Sequence, residues 1–180
     1  MKNTFGVSAV ILCALLGACR PQTQVGSPAS PTGRATVRNA AGTTLGVLLL
    51  EPTSSGVHIT GTLTGLPTGV HGIHLHGVGK CDPSDFSTAG AHFNPAAKHH
   101  GLENPAGPHA GDLQNITVNP NGAAVVDLMT PRVALSATAP TGVFDADGTA
   151  VVIHVGPDDQ RTDPAGNSGA RIACGVVERS

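Results

Sequence analysis

The chain has 180 residues, 39% of them hydrophobic, which suits one domain with a single packed core. Its formal net charge is -2, it contains no Trp or Tyr, and it has no run of basic residues; these features argue against a nucleic-acid-binding protein. The 24 Gly and 14 Pro, with Val, Ile, Leu and Thr between them, favour an all-β fold with many turns.

The first residues have the pattern of an export signal. Lys2 gives a short positive region, residues 7–16 are apolar, and residues 16–19 are Leu-Gly-Ala-Cys. That tetrapeptide resembles the lipobox of bacterial lipoproteins, and the resemblance implies cleavage before Cys19 and a lipid on its sulfur. An ordinary signal peptide is the alternative. A membrane-spanning helix is disfavoured because the apolar run is shorter than the roughly 18 to 20 residues it needs.

These features divide the chain into three parts. Residues 1–18 are predicted to be a signal peptide, and residues 19–33, rich in Pro, Ser, Thr, Gln and Gly, a lipidated flexible tether. Residues 34–180 are predicted to be the folded domain. Acyl chains would hold that domain at a membrane surface in the cell envelope, although the sequence leaves open which membrane carries the anchor.

The cysteines agree with export. Cys13 lies in the predicted signal and Cys19 is the predicted lipidation site, so Cys81 and Cys174 remain as one pair. In an oxidising compartment this pair is predicted to form a disulfide, which typically contributes roughly 2 to 4 kcal/mol. Two buried free thiols are the alternative. A thiolate metal site is disfavoured because neither cysteine belongs to a Cys-x-x-Cys pair.

Alternation of apolar and polar residues, punctuated by turn formers, predicts about eight strands. Two further segments, 77–113 and 156–169, have no convincing period, and loops of that length in a compact domain are usually functional or disordered. The predicted strands cover residues 34–39, 45–51, 57–66, 70–76, 115–119, 123–129, 149–155 and 170–177.

Two histidines lie on one of these strands. His74 and His76 are two positions apart, so their side chains are predicted to point to the same face. His154, near the end of a later strand, can face them. Several imidazoles of this kind suit copper, which accepts tetragonal nitrogen ligation and changes oxidation state readily.

A second set of possible ligands lies in the long loop. His92, His100, His109 and Asp112 offer three imidazoles and one carboxylate, a closed set of the kind zinc accepts. His99 could replace His100 after a one-residue shift of the loop.

Two other histidines are predicted to lie outside both sets. His71 should face away from His74 because the two are an odd number of positions apart, so a structural role is favoured. His58 is predicted to be exposed on its strand.

Five motifs together resemble the copper/zinc superoxide dismutases, specifically the exported, lipid-anchored bacterial type, from about residue 34 to the end. The resemblance implies a Greek-key β-barrel or flattened sandwich. The motifs are Gly72-Ile73-His74-Leu75-His76, Gly90-Ala91-His92-Phe93-Asn94-Pro95, Gly111-Asp112-Leu113, Val152-Ile153-His154 and the segment Gly169 to Val176.

The same resemblance implies a role for each matching residue. Cys81 would pair with Cys174, and Asp158 would link a copper imidazole to a zinc imidazole. His92 would bridge both metals and act in catalysis with Arg171, which would stand above the copper. The implied ligands are His74, His76, His92 and His154 for copper, and His92, His100, His109 and Asp112 for zinc.

The implied reaction converts superoxide to dioxygen and hydrogen peroxide. Copper would be reduced by one anion and reoxidised by the next, and zinc would be structural, with one of each metal per subunit. Arg171 is the firm candidate for holding the anion. Lys80, Lys98 and Arg161 are weaker candidates for steering it, the alternative being ordinary surface charge.

Two other functions compete with this one. A copper-binding or copper-delivering domain without enzymatic activity would lack a ligand or the arginine, and none is missing. A zinc hydrolase would need an acid placed to activate water, but no acid occurs in the five residues after His76. A homodimer is possible, but the sequence leaves the oligomeric state open.

Overall fold

The structure is a computed structural model that describes residues 31–180. The predicted signal peptide, Cys19 and most of the predicted tether lie outside the described residues. Within residues 31–180, no helix has the length and apolar character required to cross a membrane.

The described chain is built from antiparallel strands and one short 3-10 helix, Ser87–Ala89. This confirms the all-β prediction. The strands are β1 (Gly33–Asn39), β2 (Thr44–Thr53), β3 (Gly56–Thr64), β4 (Gly69–His71), β5 (Ile73–His76), β6 (Ile116–Val118), β7 (Ala123–Thr130), β8 (Ala150–His154) and β9 (Arg171–Arg179).

Seven strands form one curled sheet in the order β5-β8-β9-β1-β2-β3-β7, and β4 pairs with β6. Strands β7 and β8 follow each other in the chain but lie far apart in the sheet, as a Greek-key connection requires. The inward faces enclose one aliphatic core. On β2, for example, Leu48 and Leu50 are fully buried while Leu49 between them is 48% exposed.

Strand prediction was correct for seven segments within one or two residues, but residues 70–76 form two strands instead of one. The chain changes partners at Gly72, since β4 pairs with β6 and β5 pairs with β8. A Cβ atom at Gly72 would lie 3.0 Å from the Cβ of Ser168. The break therefore lets the loop of residues 156–169 approach the start of β5.

A third long irregular connection, residues 131–149, was not predicted. Its turns are closed by main-chain hydrogen bonds, such as that from Ala134 N to Thr141 O at 2.9 Å. Val133, Leu135 and Val143 are buried, so the segment contributes to the core without forming a strand.

The predicted disulfide between Cys81 and Cys174 is confirmed. It fastens the loop after β5 to the middle of β9, across 93 positions of sequence.

Candidate metal centre

The free edge of β5 is covered by the long loop of residues 77–113. The Leu75 N–H donates to Gly111 O at 2.9 Å, and Leu75 O accepts from Phe93 N at 2.8 Å. The loop comes so close that a Cβ on Gly111 would lie only 2.2 Å from Leu75 O. These contacts set His92 beside His76 and Asp112 beside His74.

Four imidazoles converge on one point. All four residues are buried, and each offers one nitrogen in a set whose atoms all lie within 4.8 Å of one another. Two come from β5, one from the adjacent loop and one from the end of β8. They are His74, His76, His92 and His154.

In this first group, one nitrogen of each ring is buried without a hydrogen-bond partner among the described residues. Burying a polar atom without a partner is costly, and a shared cation removes that cost by accepting all four lone pairs. The donor set of four imidazoles fits copper. The four atoms are His74 Nδ1, His76 Nε2, His92 Nε2 and His154 Nε2.

The opposite nitrogens are fixed by the protein. His76 donates its Nδ1–H to Gly90 O at 2.9 Å, and His154 donates its Nδ1–H to Gly169 O at 2.9 Å. His74 donates its Nε2–H to Asp158 Oδ2 at 2.7 Å. Each bond selects the tautomer that leaves the inward nitrogen with its lone pair, ready to bind a metal.

A second group surrounds the carboxylate of Asp112. Its Oδ1 lies 3.0 Å from the Nδ1 atoms of both His92 and His100, and 3.3 Å from Nδ1 of His109. Its Oδ2 accepts main-chain hydrogen bonds from Gly101 at 2.8 Å and His109 at 2.9 Å. One oxygen is thus anchored while the other faces three ring nitrogens, a donor set that fits zinc.

Two residues join the groups. His92 belongs to both, with Nε2 in the first group and Nδ1 in the second. Asp158 contacts His74 through Oδ2 at 2.7 Å and His100 through Oδ1 at 3.0 Å. The main chain of Asp158 is itself held by a reciprocal pair of hydrogen bonds with the Asn115 side chain, at 2.8 and 2.9 Å.

Burial keeps three rings of the first group neutral. Desolvation lowers the pKa of His74 to about 3, of His76 to about 2 and of His154 to about 4. A neutral imidazole has a free lone pair. These three rings can therefore bind a metal at physiological pH without first losing a proton.

Without metal, the second group is held together by hydrogen bonds between a protonated histidine and two carboxylates. Burial alone lowers the pKa of His100, but hydrogen bonds to Asp112 and Asp158 outweigh burial and raise that pKa to about 9. Burial alone would raise the pKa of Asp112 and of Asp158. Hydrogen bonds outweigh burial and hold both pKa values well below the ordinary value. The donors are His100 and His92 for Asp112, and His100 and His74 for Asp158.

Arg171 is partly buried near the first group. Its guanidinium donates from Nη1 to Phe86 O at 2.7 Å and from Nη2 to Gly90 O at 2.6 Å. Its charge contributes to the lowered pKa of His76 and of His154, so it lies close to both rings. The position suits a cation that holds an anion beside the first group.

The remaining histidines differ in their surroundings, and His58, predicted to be exposed, is partly buried. The His99 side chain is 61% exposed, whereas His100 is fully buried in the second group. His71 is buried between the main-chain oxygens of Pro67 and His154, each 2.8 Å from a ring nitrogen. The His58 side chain is 34% exposed and pairs with Asp127.

The weaker steering candidates occupy different settings. Lys80 and Lys98 are exposed. Arg161 is also exposed but forms an ion pair with Glu103, so part of its charge is already neutralised.

Sequence analysis missed Arg132, which supports the second group. It follows β7, and its Nη2 donates to the main-chain oxygen of Asp112 at 2.6 Å. Desolvation lowers its pKa, which reflects its partial burial. No motif identifies Arg132, because only the fold brings the end of β7 beside Asp112.

Comparison with known proteins gives one consistent family. A family model described as copper/zinc superoxide dismutase matches residues 44–177. The Cu-Zn superoxide dismutase 1 of Aquifex aeolicus is 48% identical over 145 residues, 80% of this chain and 86% of that protein. A superoxide-dismutase-like protein from Bacillus subtilis aligns with a TM-score of 0.75 and 37% identity, over 79% of this chain and 96% of that one. The Cu/Zn superoxide dismutase from Brucella abortus aligns with a TM-score of 0.69 and 26% identity, over 82% and 99% of the two chains.

The raised pKa of His100 predicts how the stability of the metal-free protein depends on pH. A histidine whose pKa is raised by folding stabilises the folded state. This contribution is complete below the ordinary pKa of 6.5 and disappears as the pH rises to about 9. The urea midpoint of the metal-free protein should therefore fall across that window. The His100→Gln variant should lose this fall, and parallel curves for the two proteins would contradict the prediction.

Proposed function

Because the chain belongs to the copper/zinc superoxide dismutase family, we propose that each of its two histidine groups holds one of the family's metals. The protein is a superoxide dismutase, an oxidoreductase with copper and zinc as cofactors. The observation that carries the residue assignment is the set of four buried, partnerless ring nitrogens that converge in the first group.

In this assignment copper belongs to the first group and zinc to the second. Four imidazole nitrogens without a carboxylate suit copper, whereas three imidazoles and a carboxylate suit zinc. His92 would be a ligand of both metals because its two nitrogens face different groups. The fully buried His100 and Asp112 support a structural, closed role for the second group.

The reaction consumes two superoxide anions and two protons and yields dioxygen and hydrogen peroxide. Bound copper supplies a one-electron store, accepting an electron from one superoxide and returning it to the next, while zinc supplies no redox step. The remaining requirements are to hold a small anion and to deliver protons, and both fall to side chains of this chain.

Arg171 holds the anion. Its permanent charge attracts superoxide, and the Phe86 and Gly90 carbonyls fix the orientation of its guanidinium. Lys80 and Lys98, exposed on the loop of residues 77–113, are further candidates for steering the anion from a distance. Arg161 contributes less because it pairs with Glu103.

His92 Nε2 moves a proton. This atom is buried among three neutral imidazoles, while Nδ1 of the same ring remains fixed beside Asp112. A ring anchored at one nitrogen can take up and release a proton at the other without changing its position. His92 thus supplies one of the two protons to the second superoxide as peroxide forms, and the other comes from solvent.

We further propose that the enzyme works in the cell envelope, attached through a lipid on Cys19. The supporting observations are the lipobox-like residues 16–19 and the disulfide between Cys81 and Cys174, which persists in oxidising compartments. There the enzyme would remove superoxide at the membrane surface. Whether it acts as a homodimer is a separate question that its oligomeric state in solution would answer.

The first test replaces one proposed copper ligand. His154→Ala removes one of four converging nitrogens, so the variant should lose copper and superoxide consumption while it keeps zinc. His99→Ala is the matched control, because that imidazole is exposed, and should keep both metals and full activity. Metal content and superoxide consumption are measured on the same samples. Wild-type protein that binds copper and zinc without turnover would favour a copper-delivery function instead.

The second test replaces the proposed anion-binding cation. Arg171→Ala should lower kcat/KM at least roughly tenfold and weaken its dependence on ionic strength, because the steering charge is lost. The copper paramagnetic spectrum should still show four-nitrogen ligation. Arg161→Ala serves as the control and should change the rate little. Equal rates for wild type and Arg171→Ala would remove the arginine from the mechanism.

The third test concerns the anchor. Cys19→Ser should abolish incorporation of radiolabelled fatty acid and move the protein from the membrane fraction to the soluble envelope fraction. Cys13→Ser, within the predicted signal, should leave both properties unchanged. Continued membrane association of unlabelled Cys19→Ser protein would exclude lipid anchoring at this residue.

A further inference from the structure

The loop of residues 156–169 brings a second carboxylate, that of Asp163, to the zinc group. Its Oδ1 accepts a hydrogen bond from the main-chain N–H of His100 at 2.6 Å. The same oxygen lies 3.9 Å from Nε2 of His109, and Oδ2 lies 3.5 Å from Nδ1 of His99. The Asp163 side chain is 45% exposed, so it stands at the outer rim of the group.

We infer that Asp163 is a positioning residue for zinc, which holds His100 through its main chain and places a negative charge beside the imidazole of His109. This inference rests on the proposed assignment of both histidines to zinc. It adds a residue that neither motif nor family resemblance singled out.

The orientation of His109 supports this role. Its Nδ1 faces inward, 3.3 Å from Asp112 Oδ1 and 3.5 Å from His92 Nδ1. A neutral ring that gives its Nδ1 lone pair to a cation carries its proton on Nε2. Asp163 Oδ1 lies 3.9 Å from that nitrogen, too far for a hydrogen bond, so Asp163 acts on His109 through its charge.

Asp158, from the same loop, is hydrogen-bonded to two other rings. It accepts the outward Nε2–H groups of His74 at 2.7 Å and of His100 at 3.0 Å. The two carboxylates of one loop thus face the outward nitrogens of three rings in the cluster. Their negative charge also favours a divalent cation at the centre of the group.

Two substitutions distinguish a role in positioning the zinc ligands from a role that only stabilises the loop. Asp163→Asn keeps an oxygen that can accept from His100 N–H but removes the charge, whereas Asp163→Ala removes both. Partners of this kind typically change metal affinity by roughly 10- to 100-fold. We expect zinc affinity to fall within that range for Asp163→Ala and by less for Asp163→Asn, with copper affinity unchanged.

The experiment measures zinc and copper affinity by chelator competition, together with the main-chain and ring N–H resonances of His100 in the zinc-loaded protein. In Asp163→Ala the main-chain N–H of His100 should exchange with solvent faster because its acceptor is lost, while the His100 Nε2–H, which Asp158 holds, should stay protected. The control is Asp127→Asn, which also removes a carboxylate beside a histidine but on the distant sheet surface.

Three outcomes would overturn the inference. Zinc affinity in both variants could equal that of wild type. Zinc and copper affinities could instead fall together with the stability of the metal-free protein, which would indicate only a loop brace. If wild-type protein binds copper but no zinc when His100 and His109 are intact, the zinc assignment itself fails, and this inference with it.

Discussion

Polar groups buried as deeply as this histidine cluster are stable only when every one of them has a partner. The protein supplies partners for the outward nitrogens, namely the carbonyls of Gly90 and Gly169 and the carboxylate of Asp158. Among residues 31–180 it supplies none for the four inward nitrogens of the first group. The cluster is therefore complete only with a cation at its centre, so metal binding and the stability of this region are coupled. The lowered pKa values of His74 and His76 follow from the same burial.

Precision in the site comes from main-chain geometry. Strand β5 is hydrogen-bonded to β8 on one edge and to the loop on the other, where Gly111 and Phe93 contact Leu75 directly. His74 and His76 therefore project from a backbone that is fixed on both sides, while the Leu75 side chain is buried in the core. The loop that carries four further ligands is held against this strand by main-chain hydrogen bonds, so its length costs little positional accuracy.

Local periodicity made part of this structure predictable. The alternation along β5 predicts that His74 and His76 share a face, and the spacing of the later ligands matched a family pattern. The break at Gly72 was not predictable, because it depends on how close Ser168 comes in space. Arg132 and Asp163 were missed for a related reason: each reaches the second group from an irregular segment, where no period indicates the direction of a side chain.

The first group is deeply buried, and Arg171 beside it is less so. His74 and His76 are fully buried, whereas Arg171 is partly exposed. On the role proposed for Arg171, a small anion reaches the first group from the side of this residue. The carbonyls that fix Arg171 belong to Phe86 and Gly90, in the loop that Cys81 fastens to Cys174. Since Cys174 lies three residues after Arg171 on β9, the disulfide joins the cation and the loop that orients it. Its contribution thus extends from the stability of the fold to the geometry of anion capture.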